Sequence, residues 1–146
     1  MLFGEHRPTI DAQYRFSVPA KFRVELGEQF MIVRQLTEAT LRIYSMSAWN
    51  EYVESLRRQM VRGKFEAAMR KFHSQAVQAA PDSLGRVRVP REIWESIGVD
   101  FENGNSDIIV VGCGDFGEIW LQSNYDAYME SVDLDALASE IDGCMI

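Results

Sequence analysis

The chain has no run of about 18 or more apolar residues, so it offers no candidate membrane span. Its N-terminus, MLFGEHRP, is charged and too short for the apolar stretch of a secretory signal. A cytoplasmic protein with no membrane partner is therefore expected. Cysteine is nearly missing: Cys113 and Cys144 are too few and too isolated for a disulfide framework and read as reduced thiols. His6 and His73 are the only histidines, neither stands at ligand spacing from a cysteine or from the other, and both read as surface or loop residues. No serine occupies a G-x-S-x-G elbow, and the acids scatter without a pair that can be placed in a cleft. These absences argue against catalysis and predict no metal, no cofactor and no small-molecule substrate.

Positive charge is scarce in the second half only. Residues 72–146 hold 3 Lys and Arg against 14 acids, whereas residues 1–71 hold 12 against 8, within a chain of net charge −7. Such a division predicts a basic working surface on an acidic remainder. One glycine-rich stretch invites another reading. GCGDFG, residues 112–117, fits the dinucleotide fingerprint G-x-G-x-x-G and follows the strand-like DIIVV. That fingerprint needs a helix next, whose first N–H groups hold the pyrophosphate, but EIWL is strand-like. A hairpin turn is the better expectation.

What the chain does have is an internal repeat. DAQYRFSVP, residues 11–19, returns as DSLGRVRVP, residues 82–90. An offset of 71 lays Asp11 on Asp82, Arg15 on Arg86, Val18 on Val89, Pro19 on Pro90 and Gly27 on Gly98. After five extra residues in the second copy the offset becomes 76, with Ile32 on Ile108, Ile43 on Ile119, Ser47 on Ser123 and Tyr52 on Tyr128. The expected organisation is a first repeat over 5–47, a helical linker over 48–76, a second repeat over 77–123 and a C-terminal helix with an acidic tail over 124–146.

Each repeat predicts a short strand ending near Ile10 or Val77, a polar loop, and an alternating strand at Phe16 and Val18 or Val87 and Val89. A helix follows with Pro first and Gly just past its end, burying Phe22 and Leu26 or Ile93 and Ile97. MIVR with LRIY, and DIIVV with EIWL, predict hairpins. Ser47 and Ser123 are candidate N-caps of the next helices, the second with Asp126 in a capping box. Trp49, Tyr52, Val53, Leu56 and Met60, then Phe65, Ala68, Met69 and Phe72, predict two amphipathic linker helices broken near Gly63. Leu134, Leu137, Ala138 and Ile141 mark a marginal acidic helix or a partly disordered tail.

The basic residues gather at the repeats. Arg7, Arg15, Lys21 and Arg23 face only Asp11 among acids in their stretch, and Arg86, Arg88 and Arg91 only Asp82. Arginine can bond bidentately to guanine O6 and N7 in the major groove, while further Lys and Arg hold phosphates. Equally, Asp and Arg four residues apart can pair within a tight turn and do no more than fix the loop.

RPTIDAQYRFSVPAKFR and DSLGRVRVPREIW, joined by a helical linker, closely resemble the MraZ family, over about residues 1–130. The resemblance implies an α+β, mainly β fold: two tandem AbrB-like swapped-hairpin units forming one pseudo-symmetric barrel. That suits a unit of about 45 residues, which cannot bury enough apolar surface alone and exposes strand edges. It further implies a nucleoid-associated transcriptional regulator, usually a repressor, that binds double-stranded DNA at promoter direct repeats of the division and cell-wall operon as a ring-shaped homo-oligomer. Arg15 becomes the leading DNA contact with Asp11 ordering its loop, Asp82 and Arg86 the matching pair, and Lys21 and Arg23 phosphate contacts. Gln13 and Tyr14 stand where the family usually shows Lys and Gly, whereas the second copy keeps Gly85. An AbrB-like protein-interaction or antitoxin-type module without DNA binding is the rival reading.

Overall fold

A computed structural model describes residues 1–144. Along the chain run β1 Glu5–His6, β2 Arg15–Ser17, α1 Ala20–Leu26, β3 Phe30–Arg34, β4 Leu41–Ser45, α2 Met46–Gln59 and α3 Arg62–Ser74. Then follow β5 Ala76–Ala79, β6 Arg86–Arg88, α4 Arg91–Ser96, β7 Ile108–Gly112, β8 Gly117–Leu121, α5 Gln122–Ser131 and α6 Leu134–Asp142. The fold mixes α and β, and its strand pairs are antiparallel. Among the described residues no helix is long and apolar enough to cross a membrane.

The hairpins β3–β4 and β7–β8 form as the alternation predicts. Their assembly is not sequential. The larger sheet runs β1-β7-β8-β4-β3-β5, so the strand before each loop pairs with the other repeat's hairpin: Glu5 faces Val111, and Ala79 faces Phe30. β2 and β6 form a separate ribbon in which Phe16 faces Val87, its own counterpart in the repeat. At the β4–β8 seam Arg42 likewise faces its counterpart Glu118.

One core joins both repeats: Phe16, Phe22, Ile32 and Ile43 pack with Val87, Trp94, Ile108 and Ile119. Burying each such side chain is worth roughly 1.5–3 kcal/mol, more than either repeat could gather alone. Alternate residues of the same strands serve a second core. Met31, Val33 and Tyr44 point to the opposite face, where Trp49 of α2 and Phe72 of α3 cover them. β3 is therefore buried on both faces, and no polar side alternates along FMIV.

Several local expectations need correction. The α2 cap is Ser45, whose hydroxyl accepts from Ala48 N at 3.1 Å, while Ser47 lies inside the first turn; two serines flanking Met46 made either possible. Ser123 lies within α5, which has Leu121 at its N-cap and no side-chain cap, and Asp126 forms no capping box but lies 3.5 Å from Arg7. Pro19 and Pro90 stand at the N-cap with extended ψ rather than as first helical residues. The first strand stops at His6, short of Ile10, because Pro8 cannot donate to a ladder, and β5 continues past Val77 to Ala79. In α4 the larger Trp94 takes the fully buried place and Ile93 is half-buried. His6 is half-buried and packs edge-on to Phe22 at 5.6 Å, because β1 turns it toward the core. The linker helices break at Met60–Val61, leaving Gly63 inside α3. The tail forms α6 with Asp133 as its cap and buries no residue.

GCGDFG makes the β7–β8 turn, with Gly112 paired to Gly117 and Cys113 N donating to Phe116 O at 2.9 Å. Gly112 is required by close approach: a Cβ there would overlap backbone atoms of Leu2 and Phe3. The N-terminal segment crosses at that point, Gly112 N donating to Gly4 O at 2.9 Å and Gly114 N to Leu2 O at 2.8 Å. The stretch runs into strand β8 and not into a helix, so it lacks the strand–turn–helix order that the pyrophosphate fingerprint requires.

Candidate nucleic-acid interface

The Asp-x-x-x-Arg loops are self-contained hydrogen-bonded turns. In the first, Asp11 Oδ1 accepts from Gln13 N and Arg15 N, each at 2.9 Å, and Oδ2 accepts from Arg15 Nε at 2.8 Å. Asp11 N donates to Arg15 O and Tyr14 N to Asp11 O, closing the backbone. In the second, Asp82 Oδ1 accepts from Leu84 N at 3.0 Å and Arg86 N at 2.9 Å, and Oδ2 from Arg86 Nε at 2.9 Å. The two agree within 0.1 Å along this series. Asp is needed because only a short carboxylate can take backbone and guanidinium donors together across four residues.

Each Asp engages Nε and leaves both terminal amino groups of its arginine free of hydrogen bonds among the described residues. That end of a guanidinium is the fork that fits guanine O6 and N7 or a phosphate. Ribbon β2–β6 sets the loops side by side: Arg15 faces Arg88, Ser17 faces Arg86, and Arg15 Nη1 lies 4.0 Å from Asp82 Oδ2. Arg88 and Ser17 are exposed on this ribbon, while Phe16 and Val87 between them are buried. The alternation therefore turns the polar side outward as one basic surface fed by both repeats.

The carboxyl of Asp11 is held below its usual value, first by the Arg15 backbone N–H and then by the Arg15 guanidinium and the Gln13 N–H, with desolvation opposing. Asp82 is lowered in the same way by the Arg86 N–H, the Arg86 side chain and the Leu84 N–H. For a carboxyl lowered on folding, the stabilisation is present above the unfolded value and is lost as pH falls through the folded one. Both loops should thus hold unchanged from pH 8 down to about 5 and open only below the ordinary carboxylate value of 3.8. NMR titration of the two carboxyl carbons should give midpoints under 3.8, with the Arg15 and Arg86 amide signals moving alongside. Midpoints at or above that value would mean the turns are not formed in solution.

A family model described as "MraZ protein, putative antitoxin-like" matches residues 1–71. A protein of Leuconostoc mesenteroides named "Transcriptional regulator MraZ" is 37% identical over 130 residues, covering 88% of this chain and 86% of its own length. The chain belongs to the MraZ family. Proteins of the same name from Moorella thermoacetica, 34% identical over 97% of this chain and 96% of theirs, and from Caldanaerobacter subterraneus subsp. tengcongensis, 32% over 92% and 90%, are similar along nearly the whole length.

This MraZ-family chain keeps the turn in its first loop despite lacking the glycine. Tyr14 takes up φ 65° where Gly85 takes 78°. A non-glycine residue held there costs roughly 1–2 kcal/mol, so something must hold it. The Tyr14 carbonyl accepts from Trp94 Nε1 and Val89 N, each at 3.0 Å, its ring meets Phe101 edge-on at 5.2 Å, and Arg91 Nη1 donates to its hydroxyl at 3.4 Å. Phe101 lies in the stretch between Gly98 and Ile108 that carries the five extra residues of the second copy. At Gly85 the reverse holds: an added Cβ would come 2.8 Å from Arg23 Cζ, so glycine leaves room for that guanidinium. Sequence reasoning missed these holds of Tyr14 by Trp94 and Phe101, since the contacts cross from one repeat to the other.

The remaining basic residues are unequally placed. Arg23 is half-buried, donates from Nε to Val18 O at 3.3 Å and packs on the second loop. Lys21 is exposed, its Nζ 4.7 Å from the Phe3 ring centroid. Arg91 lies 3.6 Å from Glu95 and holds Tyr14, and Arg7 pairs with Asp126. Arg15, Arg86 and Arg88 are the three the structure brings together on the ribbon.

Proposed function

We propose that this chain is a sequence-specific DNA-binding transcriptional regulator, without catalysis or cofactor. The observation that carries the reading is the pair of matching loops, set side by side by β2–β6, each presenting an arginine whose side chain is hydrogen-bonded to its Asp through Nε, with Arg15 Nη1 also 4.0 Å from Asp82 Oδ2. Arg15 and Arg86 then contact guanines, Arg88 and Lys21 meet phosphates, and Asp11 and Asp82 order the loops. Arg23 and Arg91 support the loops from behind, and Arg7 lies at the rim. The relatives' shared name supports a role in transcription.

The finer reading follows the family resemblance: a repressor of the division and cell-wall operon, acting on promoter direct repeats as a ring-shaped homo-oligomer. Repeats 5–47 and 77–123 make one pseudo-symmetric barrel of swapped-hairpin type, a reading supported by the exchanged β1 and β5 and by counterparts facing each other at both seams. Linked sites on a ring raise affinity without any single loop pair binding tightly. That lets a chain of net charge −7 hold a polyanion.

The test is fluorescence anisotropy of a labelled fragment from upstream of the chain's own gene against a scrambled fragment, at two salt concentrations. A preference of roughly a thousandfold, with affinity falling steeply as salt rises, is expected. Equal weak binding to both would sink the reading and leave the antitoxin-type module. For that alternative the exposed apolar stripe of α6, Leu134, Leu137 and Ile141, is the surface to pursue.

A further inference from the structure

We propose that the two loop tips read different bases, Gln13 an adenine and Leu84 the methyl group of a thymine, beside the guanines contacted by Arg15 and Arg86. The inference rests on the DNA-binding reading and specifies what that surface selects.

The two turns share a skeleton, so equivalent side chains leave it from equivalent places. Gln13 and Leu84 each give their backbone N–H to the Asp Oδ1 two residues earlier, which fixes the Cα while the side chain stays outside. Both are exposed, Leu84 to 68%. The next residue cannot compete for the tip: the Tyr14 ring is drawn back against Phe101 and Arg91, and Gly85 has no side chain. The preceding pair, Ala12 and Ser83, is short. Positions 13 and 84 are therefore the longest groups leading each loop, next to an arginine whose terminal amino groups make no hydrogen bond among the described residues.

Their chemistries differ in kind. The Gln13 amide has no hydrogen-bond partner among the described residues and carries one donor and one acceptor edge, the complement of adenine N6 and N7. The Leu84 side chain can make no hydrogen bond, and an exposed leucine at the loop tip beside a basic ribbon has one apolar group to meet in a major groove, the thymine C5-methyl. The difference also solves a geometric problem. Two equal loops facing their counterparts would read a palindrome and could not tell the two directions of a direct repeat. Unequal tips give the ribbon a direction on DNA.

The test uses the full chain to select duplexes from a randomised library, in parallel with Gln13→Ala and Leu84→Ala. The selected duplex is then rebuilt with deoxyuridine for each thymine and 7-deazaadenine for each adenine. The unmodified chain should lose about fourfold in affinity when one particular thymine loses its methyl, and Leu84→Ala should be indifferent to that change. It should discriminate at one adenine by about fivefold to a hundredfold, a preference that Gln13→Ala flattens at that position alone. Both substitutions leave the backbone N–H bonds of the turns in place, so an unchanged carboxyl titration of Asp11 and Asp82 confirms intact loops. Variants that select the same sequences as the unmodified chain, or weaken every duplex alike, would overturn the inference while leaving DNA binding standing. If the unmodified chain enriches no duplex, the DNA-binding reading itself has failed.

Discussion

Replacing Arg15 and Arg86 together by alanine is expected to abolish sequence preference and leave only weak, salt-sensitive binding to DNA. Each arginine alone should cost about fivefold to a hundredfold in affinity for the chain's own promoter fragment, the range of one bidentate contact to guanine. The fold should survive, because each Asp keeps two backbone N–H donors after the guanidinium is gone. Near-equal melting temperatures for variants and unmodified chain would show that. If affinity were lost to the same extent on scrambled DNA, the arginines would be phosphate contacts rather than readers.

Arg15→Lys and Arg86→Lys separate the two roles further. Lysine keeps the charge but has no planar fork, so it should restore the salt dependence without the base preference. Arg88→Ala, by contrast, should weaken all sequences alike and flatten the logarithmic salt slope by about one. The loops of one chain are not expected to be equal, since the first is clamped by Trp94, Phe101 and Arg91 and the second rests on Arg23. Whichever single substitution costs more identifies the dominant loop.

Much of this surface is legible in the amino-acid sequence alone. Asp and Arg at a fixed spacing, repeated with Pro and Gly at matching offsets, carry the loops and short helices by themselves, because the bonds that make them span only four residues. The hairpins are legible because each pairs two strands that are neighbours in the sequence across a short turn. What stays hidden is non-local. Nothing in the local pattern says that β1 should join β7 or that β5 should join β3, since an apolar edge accepts either neighbour. Tyr14 is equally opaque: its positive φ is sustained by Trp94, 80 residues further along the chain, and by the more distant Phe101. That Arg23 packs against Gly85 of the second loop is likewise hidden, because the two lie 62 residues apart in the chain.

Trp94→Ala joins the core to the site and should produce the largest loss of stability. Trp94 is fully buried, meets Phe16 edge-on at 5.6 Å, and is the only side chain that donates to the Tyr14 carbonyl among the described residues. Truncating a buried Trp costs about 3–5 kcal/mol. In a chain of this length each kcal/mol lowers the melting temperature by about 2–4 °C, so a fall on the order of 10 °C is expected in a thermal scan. Trp94→Phe separates the two contributions. An aromatic ring still fills most of the core site, while the indole N–H is gone; Val89 N still donates to Tyr14 O at 3.0 Å, so the carbonyl is not orphaned. Its cost should therefore stay near about 1 kcal/mol plus a small cavity contribution, yet the strained Tyr14 loses one of its holds. Hydrogen exchange at the Arg15 amide should then quicken in Trp94→Phe while that of Arg86 stays unchanged, and promoter affinity should fall through the first loop only. Equal acceleration at both loops would mean that Trp94 supports the ribbon as a whole. No acceleration at either would mean that Val89 N, Phe101 and Arg91 suffice to hold Tyr14 in its left-handed conformation.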